Sequence, residues 1–172
     1  MKYALLLSTA LSLFAAMAHA DDALVSAQQA YDAAWDAAPL AIPTATLIES
    51  RAAGFGIYTP RATHVYKPGE PVMIYSEPVG FGYKDAGEGK YTFGFTLDLA
   101  IAQADGTEAF RQDGWQHVEL TSRTKNHEFM LTIDLDFGAT PPPAGDYVLN
   151  FTIHDMNSTE TAPISLPITI SE

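Results

Sequence analysis

Two periods divide the chain. Between residues 22 and 38 apolar side chains recur at spacings of three and four, through Leu24, Ala27, Tyr31, Ala34, Trp35 and Ala38. That spacing lines one face of a helix. Asp22 is placed to cap it, the Ala-rich sequence favours it, and Pro39 ends it. Asp32 and Asp36 lie one turn apart near the C-terminal end, where mutual repulsion and the helix dipole both oppose them. Such a helix is weak alone. Tyr31 and Trp35 are its anchors, either against the rest of the chain or against a partner.

From about residue 44 the period falls to two. Phe93, Phe95, Leu97, Leu99 and Ile101 share one face with Tyr91, while Thr92, Gly94, Thr96, Asp98 and Ala100 share the other. The same alternation runs through 129–137, 147–154 and 164–170, each a strand buried on one face. Shorter strands are predicted at 44–50, 57–66, 72–77 and 115–121. Turn sequences separate them: Lys67-Pro68-Gly69-Glu70, residues 85–89, Ala104-Asp105-Gly106, the proline run 141–143 and Asn157-Ser158-Thr159. The pattern predicts a mainly β fold. Its expected form is an antiparallel β-sandwich of seven to eight strands over residues 44–172, preceded by one N-terminal α-helix and connector over 21–43.

The first 20 residues read differently. Lys2 precedes an uncharged apolar stretch over 4–18, and Ala18-His19-Ala20 supplies small residues at the −3 and −1 positions of a cleavage site. This is the pattern of a secretory signal peptide, residues 1–20, removed on export. Asp21 would then lead the mature chain, without a lipid-bearing Cys. No later apolar run approaches the roughly 20 residues that span a bilayer. The expected location is the periplasm, or the medium after secretion.

Composition narrows the chemistry. The chain has no Cys, which excludes disulfide frameworks, thiolate zinc sites, iron–sulfur clusters and cysteine nucleophiles. A Cys-free exported domain of this size relies on its core, as suits a bacterial periplasm. The net charge is −12, and loss of Lys2 makes it −13. Phosphates would be repelled, so no nucleic-acid partner is expected.

The run Gly145-Asp146-Tyr147-Val148-Leu149-Asn150-Phe151-Thr152-Ile153-His154-Asp155 resembles the penultimate strand of immunoglobulin-like and fibronectin-III-like domains. The resemblance implies that the Tyr147 hydroxyl ties back to the preceding corner. Several segments also resemble uncharacterised exported proteins of proteobacteria. They are Gly54-Phe55-Gly56-Ile57-Tyr58-Thr59-Pro60-Arg61, Pro68-Gly69-Glu70-Pro71, residues 74–82, Glu128-Phe129-Met130-Leu131 and Ala144-Gly145-Asp146-Tyr147. That likeness carries no catalytic residues with it.

Candidate chemistry falls into three groups. There is no Gly-x-Ser-x-Gly elbow, no His-Glu-x-x-His and no phosphate-binding Gly loop. Asp134 and Asp136 share a strand face about 7 Å apart, a glycosidase-like spacing that equally describes a charged face blunting edge pairing. The second group is soft. His117, Met130, His154 and Met156 lie at outward-facing or nearby positions, and neutral imidazole with thioether suits Cu(I). Their order is similar to the His/Met motif of periplasmic copper chaperones, with both long intervals two residues longer. The third group is aromatic. Phe55 and Phe81 each sit in Gly-Phe-Gly, with Tyr58, Tyr75 and Tyr83 near in sequence, together with Arg61, Glu70 and Glu77. Rings on loops at one end of a sandwich recognise partners or sugars. The same rings could instead plug the core, with Arg61 paired to Glu77.

The sequence therefore leads to a non-catalytic exported binding module without a cofactor. Its site would be Phe55, Tyr58, Arg61, Tyr75, Glu77, Phe81 and Tyr83, and its partner an envelope protein or a small ligand. A periplasmic Cu(I) carrier is the alternative.

Overall fold

The computed structural model describes residues 7–138 and 141–172. The chain divides into two compact units, one carrying the helix and ending at Ala37, the other running from Ala38 to Glu172. The helix, α1, spans Leu7–Ala37. It ends two residues before Pro39, as the sequence requires. Asp22 is not its cap, because the helix already runs through that position and across the expected cleavage point. Within it the Tyr31 and Trp35 rings lie 6.2 Å apart, one turn from each other. No helix among the described residues is long and apolar enough to cross a membrane.

Among its described residues the second unit has nine strands, where seven to eight were expected: β1 (Ala41–Ile48), β2 (Val65–Tyr66), β3 (Val72–Val79), β4 (Lys84–Gly87), β5 (Lys90–Gln103), β6 (Glu108–Ser122), β7 (Leu131–Leu135), β8 (Gly145–Asp155) and β9 (Thr161–Ile170). They form two sheets. The smaller has the order β1-β3-β7. The larger has the order β2-β9-β8-β5-β4, with β6 on β5. β5 is the backbone of that sheet, because β6 pairs along nearly its whole length while β8 pairs over 95–103 and β4 over 90–92.

The predicted parity holds through the long strands. Phe93, Phe95, Leu97 and Leu99 of β5, Leu131, Ile133 and Leu135 of β7, and Tyr147, Leu149, Phe151 and Ile153 of β8 are all buried. Their alternate neighbours Thr96, Asp98, Asp134 and Thr152 are not. Burying each large apolar side chain contributes roughly 1.5–3 kcal/mol, which makes these rows the chief source of stability. The Tyr147 hydroxyl donates to the Pro143 carbonyl oxygen at 2.9 Å, tying the strand to its own lead-in.

Three expectations are corrected. The pairing is not wholly antiparallel, since the short β2 runs parallel to β9. Residues 57–66 are not one strand: only Val65–Tyr66 joins a sheet, and the segment before it is a loop held by the bridges Ile48↔Pro60 and Gly54↔Ile57. Residues 85–89, read as a turn, contain part of β4. The reason is common to all three. Short segments with few apolar residues take their conformation from neighbouring strands rather than from their own pattern.

Candidate functional site

The two Gly-Phe-Gly motifs part company. Phe81 is 1% exposed, and its ring lies within about 5–6 Å of Phe93, Phe95 and Phe129. It is a core plug, and so is withdrawn as a surface contact. The turn around it explains why. Asp155, itself buried, accepts hydrogen bonds from Gly82 N–H at 2.8 Å, from the Ser158 hydroxyl at 2.7 Å and from Asn157 N–H at 3.0 Å. Asn157 in turn donates to the Gly82 and Thr92 carbonyl oxygens, each at 3.0 Å. On the other side, Gly80 has φ +71°, and a Cβ there would meet the Pro39 carbonyl oxygen at 2.3 Å. The backbone is clamped on both sides of the ring, which leaves the ring only the core. Tyr83 packs behind it at 5.3 Å and donates its hydroxyl to the Asn126 carbonyl oxygen. Burial pushes that hydroxyl up to about 12.

Phe55 behaves oppositely. It is 40% exposed, and its neighbour Ile57 is 63% exposed. They sit at the tip of a small hairpin-like loop in which Ile57 N–H donates to the Gly54 carbonyl oxygen and Ala53 N–H to that of Ile57. The tip is braced on the outer face of the smaller sheet. Tyr75 of β3 points outward there, yet it is fully buried because Tyr58 stacks on it at 4.0 Å. Its hydroxyl accepts from Gly56 N–H at 2.7 Å and donates to Glu77 Oε1 at 2.6 Å. Burial, reinforced by the Glu77 carboxylate, pushes that hydroxyl up to about 12. Arg51 of the same loop reaches across to Asp134 on β7. Asp134 is thus paired with Arg51, while β7 ends at Leu135, short of Asp136, so the two carboxylates do not lie on one strand face.

Arg61 does not pair with Glu77. Its guanidinium lies 4.1 Å above the Tyr66 ring, bonds Glu70 at 2.8 Å, and donates to the Thr63 and Val65 carbonyl oxygens. The Lys67 backbone N–H, with Arg61 adding to it, holds Glu70 below the usual carboxylate range. The Arg61 Nε and Nη2 are held by Thr63, Val65 and Glu70, so this side chain fastens the entry to β2. The predicted site thus resolves into three places: the plug with Phe81 and Tyr83, the braced tip with Phe55, Tyr58, Tyr75 and Glu77, and the Arg61 clasp. Sequence reasoning missed Ile57 as the most exposed part of the tip. Its position two residues beyond Phe55 was the available signal.

The soft-donor set is partly assembled. Thr96 of β5 lies in register with both His117 of β6 and His154 of β8, so all three side chains leave the same face. Met156 folds onto that face as well, because Gly94 leaves room for it: a Cβ there would lie 2.8 Å from Met156 Sδ. Met130 does not join them; it precedes β7 in the smaller sheet. His154 Nε2 is 2.7 Å from Asp98 Oδ2, and His117 Nδ1 is 3.4 Å from Thr96 Oγ1. Asp98 also accepts Gly114 N–H at 2.7 Å, which pins the irregularity that β6 carries opposite β5. These two bonds, that from Gly114 first, hold Asp98 below the usual carboxylate range. Among the described residues no three His, Asp or Glu side chains are grouped so as to hold a metal. No protein family matches the chain, and no curated protein is significantly similar to it.

Proposed function

We propose that this chain is an exported, non-catalytic binding module with an immunoglobulin-like β-sandwich, acting in the bacterial periplasm on an envelope protein through the Phe55–Ile57 tip. The sandwich reading is supported by the two strand orders, three strands against a wider sheet, and by the Tyr147 corner bond. Export is supported by the charge, apolar stretch and Ala18-His19-Ala20 of the first 20 residues.

One observation carries the binding reading. Two large apolar side chains are exposed two residues apart on a loop whose backbone is fixed by a stacked tyrosine pair and by the bond from Gly56 N–H to the Tyr75 hydroxyl. A rigid apolar anchor loses little entropy on docking, which is how a few residues come to dominate an interface. Solubility alone does not call for such bracing. The test is capture of envelope proteins by the purified mature chain and by Ile57→Asp, with Thr152→Ala as the control. The reading expects a species held by wild type and the control and lost with Ile57→Asp. Identical captures by all three would reject the tip.

A second reading, Cu(I) carriage, is favoured by the cross-strand alignment of His117, Thr96 and His154 with Met156 beside them. The Asp98 carboxylate would fix the His154 ring through Nε2 and leave Nδ1 for a metal. Titration with Cu(I), followed by the His and Met NMR signals, separates the readings. Shifts at His117, His154 and Met156 that saturate at one equivalent would support carriage.

A further inference from the structure

The larger sheet is wider than the smaller, and its edge strand β6 is left partly uncovered. Phe110 pairs in register with Ile101, and Leu120 with Phe93, so both project toward the interior. They nevertheless stay 42% and 39% exposed. Beside Phe110 the gap deepens into a cleft of about 580 Å³ between β5, β6, the end of β7 and the proline turn before β8. That volume lies within the range of small-molecule sites.

Its lining is uneven in a useful way. Leu99, Ile101 and Leu135 form a buried apolar floor, and Phe110, Trp115 and Phe137 form aromatic walls. Trp115 is held from behind by Phe151 at 5.9 Å. The Tyr147 hydroxyl, which reaches this region, is already given to Pro143. The remaining polar groups are Gln103, Gln112 and Asp136, and Asp136 is the one charged residue among the described lining. Among the described residues no Lys or Arg lines the cleft, and the whole chain carries a net charge of −12.

We infer that this cleft binds a small, flat, apolar ligand that carries no negative charge, with the ring system between Phe110 and Trp115 and any polar end at Gln103, Gln112 and Asp136. A buried floor with aromatic walls takes up a ring by burial and stacking. The two glutamines can donate to or accept from a neutral polar group. Asp136 repels an anion, and a single charge at contact distance is worth several-fold or more in affinity. The site is separate from the tip and does not depend on it.

The experiment uses two fluorescent probes of one skeleton, neutral phenylnaphthylamine and its anionic sulfonate, anilinonaphthalenesulfonate. They are titrated into the folded mature chain, into Phe110→Ala and into Asp136→Lys, with each unfolding midpoint checked. The neutral probe should saturate at one equivalent and bind at least about tenfold tighter than the sulfonate. Phe110→Ala should weaken it several-fold. Asp136→Lys, an exposed change, should leave the neutral probe nearly unaffected and tighten the sulfonate by about tenfold. Failure of the neutral probe to bind, equal binding of both probes, or an unchanged ratio in Asp136→Lys would overturn the inference.

Discussion

Gly54-Phe55-Gly56 and Gly80-Phe81-Gly82 are the same tripeptide with opposite fates. One ring is exposed on a braced tip and the other is sealed in an aromatic cluster. The difference lies in what holds the flanking glycines. At Phe81, Asp155 and Asn157 grip Gly82 from the β8–β9 turn while the Pro39 carbonyl lies against Gly80. At Phe55 the side-chain clamp is Tyr75, which accepts from Gly56 and holds the loop on the outside of the smaller sheet. A glycine pair lets a ring go either way, and residues remote in sequence decide which.

The sharpest way to break this comparison is to remove the plug. Phe81→Ala should destabilise the fold by about 3–5 kcal/mol, read from urea unfolding, because a fully enclosed ring leaves a cavity. A cost under about 1 kcal/mol would mean that Phe81 is not enclosed. Next comes the grip itself. Asp155→Ala strands three donors in a half-buried turn and should cost about 1–3 kcal/mol, with hydrogen exchange rising at Gly82 and Asn157. Exchange unchanged at Gly82 would show that the turn does not hold the motif.

A smaller effect sharpens the role of Asp98, which organises the face opposite the core. Its pKa is lowered by the Gly114 N–H and by His154. A carboxylate depressed in the folded state stabilises above its unfolded pKa, and that contribution is lost as pH falls through the folded value. The stability gap between wild type and Asp98→Asn should therefore be constant near neutrality and shrink below about pH 4. A gap that widens on acidification would contradict the assignment. Beyond the Gly114 bond, His154 and Arg111 are the side chains that lower the pKa of this carboxylate.

The long strands were legible because strict alternation over β5, β7 and β8 fixes both strand and face. The Tyr147 corner followed from the resemblance to immunoglobulin-like domains rather than from the strand pattern. What stayed hidden depended on contacts distant in the chain. Phe55 and Phe81 have nearly identical local sequences, and their partners Tyr75 and Asp155 lie 20 and 74 residues away, respectively. Arg61 could have met Glu70 or Glu77, and the turn into β2 brought it to Glu70. The alignment of His117 with His154 required knowing that β5 lies between β6 and β8. The cleft beside Phe110 arose from the unequal widths of two sheets, which no single strand encodes.

The central claim is that Phe55 serves recognition while its twin serves the core, and one variant measured two ways tests it. Phe55→Ala should move the unfolding midpoint by less than the equivalent of about 0.5 kcal/mol. The same change should weaken retention of the captured envelope partner by about 2 kcal/mol, roughly thirtyfold. Undiminished capture, or a loss that follows destabilisation of the fold, would contradict the account.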